Sequence, residues 1–485
     1  MCGRWLWMLT GVSLLSACGG SSATGPSGPS GPPVVTLVNG ATLPSGTVGA
    51  TVVIQGSNFG TSQAAATGHV VFSTTGGGRD TAAIVSVGDW TDLLIVTTVP
   101  TGVPIGKDTL FVETSGGTSA PVVFTLVAKV GFSPSTVSWT ATTPLPVGLS
   151  GHAVAAVTLP GASPTSVVYV AGGADSTNAP RDSVLYATVS ATGTLSAWTK
   201  TTVLPAAVAF AAAVVATPNN SAVAGTSYLY VIGGDSAASG KPVATVYRGT
   251  LGGTGAVTGW STTTALPAAV HSLGAVIFHG SVYVAGGAGS GNAPVATVYR
   301  AAIQSDGTLG SWQALTSLPF ARSYFGFGID GTFLYALGGD SGTVTPNDSS
   351  VKGSAISDVA YAQIDVRSGS LTMAGWTTGA AKLIKAVSKQ TAVVASGSVL
   401  ASGGLYNGAS TGATEESYAG LNADGTTTSF SGATGSHTIA SVGGGNFFNH
   451  AAVGYLDATG AFHVLVVGGD DVNTPTKKHA GAYYY

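Results

Sequence analysis

Val168-Tyr169-Val170-Ala171-Gly172-Gly173 is an apolar run that ends on paired glycines, and the chain repeats it. It returns as Leu229-Tyr230-Val231-Ile232-Gly233-Gly234, as Val282-Tyr283-Val284-Ala285-Gly286-Gly287 and as Leu334-Tyr335-Ala336-Leu337-Gly338-Gly339. Weaker copies end at Gly403-Gly404 and Gly468-Gly469. Successive glycine pairs are 61, 53, 52, 65 and 65 residues apart, so the variation belongs to loops. A run of four to six β-formers closed by glycine reads as a buried strand entering a tight turn. A strand carrying tyrosine follows each pair, at Tyr186, Tyr247, Tyr299, Tyr361, Tyr418 and the terminal Tyr483-Tyr484-Tyr485. A tryptophan comes next, at Trp198, Trp260, Trp312 and Trp376, with Phe430 in its place in the fifth unit. The sixth unit has no tryptophan after it, yet Trp139 with Leu145-Pro146 stands ahead of the first glycine pair without strands of its own. Val137-Ser138-Trp139-Thr140 is therefore expected to supply the outer strand of the last unit, paired with Ala480-Gly481-Ala482-Tyr483, closing six units into a ring and protecting their edges.

A repeat of this length with these marks resembles the kelch and galactose-oxidase-like β-propellers over residues 129–485. The resemblance implies a six-bladed propeller in which glycines permit close turns and aromatics fill the space between blades. It also implies that the loops after the glycine pairs and the loops leading to each innermost strand share one face around the central channel. From the latter loops that face would carry His152, Phe210, His271, Arg322, Tyr324, Lys385, Asn446, Asn449 and His450. From the post-glycine loops it would carry Asp175, Asp235, Asp340, Asp470 and Asp471. Amides, carboxylates, imidazoles and aromatic rings together suit hydroxyl-rich ligands such as glycans. Tyr324 is expected to offer a stacking surface beside Arg322, with His271 and His450 opposite. The competing reading makes the aspartates turn caps, the histidines occupants of a solvated channel and Tyr324 part of the core between blades.

Enzymatic readings have less behind them. A copper–radical site of the galactose-oxidase kind needs a Cys–Tyr thioether, and no cysteine follows Cys18. A kelch-type sugar epimerase needs acids and bases over the channel, and the only glutamates are Glu113, Glu415 and Glu416. No closely spaced histidine pair suggests zinc, and Gly443-Gly444-Gly445 lacks the lysine and following helix of a phosphate loop. No metal or cofactor is expected. The leading expectation is a non-catalytic module that binds glycan or protein. The alternative is a carbohydrate-active enzyme using Arg322, His271 or His450 with one of the aspartates, and a plain spacer stays open as a third. Acidic and basic groups converging in a dry pocket would favour catalysis, and a broad wet rim would favour binding.

Residues 34–128 read as short alternating strands between Gly, Pro and Asn turns, the pattern of an aligned β-sandwich. Gly49, the run Ile54-Gln55-Gly56-Ser57-Asn58-Phe59-Gly60, Val71-Phe72, Trp90, Val99-Pro100, Gly106 and Gly116-Gly117 resemble the IPT/TIG family of immunoglobulin-like domains in order and extent. That resemblance implies a spacer or binding module. Gly56 and Gly60 are expected to adopt positive φ, with Phe59 plugging the core and Trp90 inside it.

The N-terminus is an address. Arg4 and the apolar stretch Trp5 to Leu15 are too short to span a bilayer, which takes about 20 residues. The stretch ends in Leu15-Ser16-Ala17-Cys18, which resembles the bacterial lipoprotein signal box. The resemblance implies a signal peptide over 1–17, a thioether-linked lipid on Cys18 and a membrane as partner. Residues 18–33 form a Gly/Ser/Pro tether. Gly19 lacks the aspartate that retains some lipoproteins at the inner membrane, which favours extracytoplasmic placement at the outer membrane or cell surface. Cys2 and Cys18 are the only cysteines, so no disulfide is expected in the folded part. A net charge of −3 with no basic cluster argues against nucleic acid as a partner. Replacing Cys18 with Ser should move the protein from the membrane pellet to the soluble fraction; a variant still wholly in the pellet would refute the lipid anchor.

Overall fold

Alternating β-formers punctuated by glycine fold here into short strands, antiparallel except where Ser45–Gly46 runs parallel to Val122–Leu126. The computed structural model describes residues 29–39, 45–73, 78–84, 87–128, 137–160, 165–218, 225–237, 240–343, 345–346, 354–407, 416–432, 438–439, 447–471 and 477–485. The lipoprotein box with Cys18, and likewise Gly443–Gly445 and Asn446, lie outside the described residues. Within them the chain is all-β, with one four-residue helix, Gln63–Ala66, and two short 3-10 turns.

The first strands form two sheets. Val34–Val38, Thr51–Ser57 and Leu94–Thr98 make one; the other is built on Gly106–Thr114, flanked by Val122–Leu126 and His69–Ser73. Val38, Ile54, Phe59, Phe72, Trp90, Leu110 and Phe124 share one core between them. Trp90 is inside, as its size demands, and its indole N–H donates to the Phe59 carbonyl at 2.8 Å, so no polar atom is stranded. Gly60 has φ +87°, but Gly56 does not have positive φ. Gly56 is needed for space instead: a Cβ there would stand 1.9 Å from the Val34 carbonyl oxygen.

From Thr140 onward the strands form six four-stranded antiparallel sheets, together with three two-stranded pairs, among the described residues. The first sheet runs Ala153–Leu159, Thr165–Ala171, Val184–Thr188, Thr199–Lys200. The innermost strands are Ala153–Leu159, Ala212–Ala216, Gly274–Phe278, Gly326–Asp330, Thr391–Ala395 and Ala451–Leu456. Each packs on the next and the last packs on the first, so the sheets close a ring. The sixth sheet is completed by chain from the start of the ring: Thr140 lies opposite Tyr484 and Ala141 opposite Tyr483, a register that runs on into the terminal tyrosines.

The repeated residues hold neighbouring sheets together by hydrogen bonds as well as by packing. Trp198, Trp260, Trp312 and Trp376 each donate the indole N–H to a carbonyl of the preceding sheet's outer segment, at Thr143, Thr202, Thr264 and Thr316, over 2.9–3.0 Å. On the second strands, Tyr169, Tyr230 and Tyr283 donate their hydroxyls to the carbonyls of Gly255, Gly307 and Gly369 in the next sheet, over 2.6–2.8 Å. These interior tyrosines, and not only the third-strand ones marked in the sequence, link neighbouring sheets.

Phe430, whose ring carries no N–H, takes the tryptophan's place between the fourth and fifth sheets, packed against Tyr335, Leu337 and Val399. Between the fifth and sixth sheets, Trp139 packs with Tyr418, Ile439 and Tyr485. Glu416, 2% exposed, accepts from the Tyr418 hydroxyl at 2.7 Å and from the Ile439 amide at 2.8 Å. Burial raises its carboxyl from 4.5 to about 7. A carboxyl whose folded pKa lies above its unfolded one binds protons more tightly when folded. Its contribution is therefore complete below about pH 4.5 and is lost as pH rises through about 7. Glu416→Gln, which keeps one donor and one acceptor, should melt higher than the parent at pH 8 and match it near pH 5; equal melting at both pH values would contradict this.

Candidate functional site

The two residues ahead of each innermost strand build the mouth of the central channel. Gly151, Phe210, Ser272, Tyr324, Lys389 and Asn449 each stand two positions before their strand, and all six have φ between +51° and +57°. Their backbones join head to tail. The N–H groups of Phe210, Ser272, Tyr324, Lys389, Asn449 and Gly151 donate in turn to the carbonyls of Gly151, Phe210, Ser272, Tyr324, Lys389 and Asn449, over 2.6–3.2 Å. The result is a closed circuit of six hydrogen bonds around the axis. The left-handed conformation costs each non-glycine residue roughly 1–2 kcal/mol, and a satisfied buried N–H and C=O at every step offset it.

A second circuit lies outside the first. The second glycine of each pair donates to the next sheet: Gly173 to Val208, Gly234 to Val270, Gly287 to Arg322, Gly339 to Val387, Gly404 to Phe447 and Gly469 to Leu149, over 2.8–2.9 Å. These glycines have φ of +94° to +109°, which only glycine adopts without strain.

The two circuits decide where the expected ligand residues go. Arg322 occupies the position held elsewhere by Leu149, Val208, Val270, Val387 and Phe447, between sheets, and is fully buried rather than displayed. Its guanidinium donates to the Gly338 carbonyl at 3.1 Å and, more weakly, to Ala336 and Asp358 at 3.4 Å, and burial lowers its pKa to about 10. His152 and His450 fill the space between glycine corners. A Cβ on Gly468 would stand 2.4 Å from His152, and one on Gly403 2.5 Å from His450. Burial lowers their pKa values to about 4 and about 3, so both are neutral spacers and not pH-responsive contacts. Tyr324 is 6% exposed, and its ring meets Phe210 and His271 edge-on at 6.0 and 5.8 Å, leaving no open stacking face.

The carboxylates separate similarly. The true positional equivalents after the glycine pairs are Ala174, Asp235, Ala288, Asp340, Leu405 and Asp470; Asp175 is one residue further out. Asp340 is buried and accepts from the Gly342 amide at 2.9 Å. Asp470 forms a buried ion pair with Lys478 and accepts from the Asn449 amide at 2.9 Å. Asp235 is half-buried; burial raises its carboxyl and the nearby His271 opposes that. Asp175 caps its own loop, accepting from Thr177 and Ala179 and pairing with Arg181 at 3.3 Å, and the Thr177 hydroxyl leads in lowering its pKa. Asp471 pairs with His479 at 3.5 Å. Lys385 alone of the expected cations is exposed, with its ammonium 4.4 Å from the Tyr406 ring centroid.

Sequence reading passed over Lys389 and Ser272. Lys389, 1% exposed, donates to the carbonyls of Thr345 and Pro346 at 2.9 Å, and Asn449 also reaches Pro346 at 3.1 Å. Thr345 and Pro346, which follow the glycine pair of the fourth sheet, are thus tied to one side of the mouth. The space left there is about 190 Å³. At the other end the channel opens to a cavity of about 670 Å³, lined by Val157, Val215, Ile277 and Ile329 of the ring and Leu37 and Thr51 of the first sheets. The shared offset before each innermost strand would have found both residues. Among the described residues no cluster of three His, Cys, Asp or Glu side chains could hold a metal, and no helix is long and apolar enough to cross a membrane.

Because five of six equivalent positions are apolar, Arg322→Leu should fold and leave the melting temperature unchanged or higher, since replacing a buried charge by a packed apolar group is often neutral or stabilising by about 1–4 kcal/mol. A collapse in stability would show that the guanidinium is indispensable to the seam.

No family model matches the chain, and no curated protein matches it. Solved structures do match. One, described as the structure of YjhT, is 12% identical, covers 71% of this chain and 96% of that chain, and superposes with a TM-score of 0.49. The chain is an all-β protein of many strands with this structural neighbour, and a likeness at that level assigns no activity.

Proposed function

We propose that the chain is a lipid-anchored, extracytoplasmic recognition module for glycan or protein ligands, in which an IPT/TIG-type sandwich carries a six-bladed, kelch-type propeller. The closed ring of six four-stranded sheets and the glycine, tryptophan and tyrosine links between them support the propeller. The two-sheet core around Phe59 and Trp90 supports the sandwich.

The observation that carries recognition over acid–base chemistry on sugars is the fate of the charges at the mouth. Arg322, Lys389, Asp340 and Asp470 are all turned onto the protein's own carbonyls, amides or counter-ions. Among the described residues no carboxylate lines the space at the mouth. What the same face offers outward is a broad rim: the Lys385–Tyr406 pair, the Asp175–Arg181 pair and Phe320, which is 50% exposed. An aromatic ring with a cation above it, next to paired charges, suits ligands rich in hydroxyl or carboxylate groups. Full-length protein in detergent on a glycan array, with the double variant Lys385→Ala/Tyr406→Ala alongside, tests this. The parent should bind a defined set of glycans, and the variant should bind them at least ~10-fold more weakly, a loss of about 1.4 kcal/mol, with unchanged melting. Equal binding by both would remove the rim from the reading.

A further inference from the structure

We propose that Ser272 is a nucleophile toward small acyl esters, with His271 as its general base and Asn292 as the residue that orients the imidazole. This goes beyond recognition at the rim and rests on the mouth alone.

Ser272 belongs to the inner circuit and is half-buried on the lining of the mouth. Its Oγ lies 2.9 Å from His271 Nδ1, and His271 Nε2 lies 3.0 Å from Asn292 Oδ1. An amide oxygen accepts only, so Nε2 carries the proton and Nδ1 the lone pair that receives the Ser272 hydroxyl. That is the tautomer a base needs, and both contacts fall within the reach expected of nucleophile, base and orienting group. The imidazole is held on edge by Phe210 at 6.5 Å and Tyr324 at 5.8 Å.

The pair is not required by the fold. The circuit accepts Gly151, Phe210, Tyr324, Lys389 and Asn449 at the Ser272 position. The His271 position takes Ser150, Ala209, Ser323, Ser388 and Phe448 in the other sheets. Only the third sheet sets a hydroxyl beside an imidazole. His271 also differs from His152 and His450 in having both ring nitrogens bonded to side chains, whereas those two interact only with the backbone of Val467 and Ser402. Burial keeps it neutral and available as a base. The charged groups facing it are Asp235, which stabilises the imidazolium once formed, and Lys389, which opposes it.

The step balances without an oxidant or cofactor. His271 Nδ1 takes the Ser272 proton as Oγ bonds to the acyl carbon. The carbon–oxygen bond to the leaving alcohol then breaks, and that oxygen takes the proton from Nδ1. Water repeats the sequence, releasing the acid and restoring Ser272. A space of about 190 Å³ fits an acetyl-sized group, below the ~300 Å³ at which drug-sized ligands begin, with the alcohol portion directed to the rim.

The test uses the intact chain with a fluorophosphonate probe, followed by mass spectrometry, and with p-nitrophenyl acetate as substrate. The expected result is one phosphonylated residue, Ser272, with labelling that rises with pH to a plateau as His271 loses its proton. Ser272→Gly, which copies Gly151 at the equivalent position and so preserves the fold, should abolish labelling and turnover. His271→Gln should lower turnover by ~100-fold or more. Asn292→Ala should lower turnover and move the pH profile, with partial rescue by Asn292→Asp. An unlabelled parent, or labelling undiminished in Ser272→Gly, overturns the proposal. Glycan binding by the same unlabelled parent would separate that failure from the rim reading.

Discussion

Six left-handed residues joined by a closed circuit of backbone hydrogen bonds are what the rest of the ring is arranged around. Each bond crosses from one sheet to the next, so no sheet can complete its own polar satisfaction. An N–H or carbonyl stranded near the axis would cost on the order of 1–3 kcal/mol, and opening the ring at any seam strands one of each. Closure is therefore enforced at the axis as well as at the outer edge, where Thr140–Ala141 pairs with the terminal strand. The glycine-pair circuit runs beside it in the opposite sense, each glycine donating to the following sheet where each inner N–H donates to the preceding one.

The two circuits impose opposite demands on sequence. The outer one needs glycine twice over, because φ near +100° excludes other residues and a Cβ would collide with a neighbour: 2.4 Å from the Val208 oxygen at Gly172, 2.7 Å from His152 at Gly173. The inner one needs only φ near +55°, which asparagine takes readily and other residues adopt at modest cost. Hence the glycine pairs announce themselves in the sequence, whereas Gly151, Phe210, Ser272, Tyr324, Lys389 and Asn449 share no chemical type and stay hidden.

The same asymmetry explains what could be read beforehand. The all-β class, the six repeats and the borrowed outer strand were legible because glycine pairs, tryptophans and β-formers are costly to replace. The site was less legible because residue type was read without its column. Arg322 looks functional alone, but set beside Leu149, Val208, Val270, Val387 and Phe447 it is an interior position carrying an unusual side chain. His152 and His450 fall in a column with Ala211, Leu273, Phe325 and Gln390, defined by packing against glycine. Asp175 was grouped with Asp235, Asp340 and Asp470 although its place in the repeat belongs to Ala174. Gly56 failed for a related reason: glycine was read as a turn signal where it serves close approach.

Freedom at the axis follows from rigidity behind it. Because the inner circuit fixes the backbone through N–H and carbonyl groups alone, the side chain at each of its six positions can change without altering the ring. Four of the positions serve closure: Phe210 and Tyr324 fill the mouth, and Lys389 and Asn449 tie Pro346 to one side of it. Gly151 contributes no side chain. Ser272 remains as the small hydroxyl that faces the open volume with a hydrogen-bonded partner behind it. A scaffold that holds backbone geometry while releasing side-chain identity is the arrangement in which one repeat out of six can acquire chemistry that the other five lack. In this chain the third sheet, where His271, Ser272 and Asn292 meet, is the one whose side chains depart from the other five in that way.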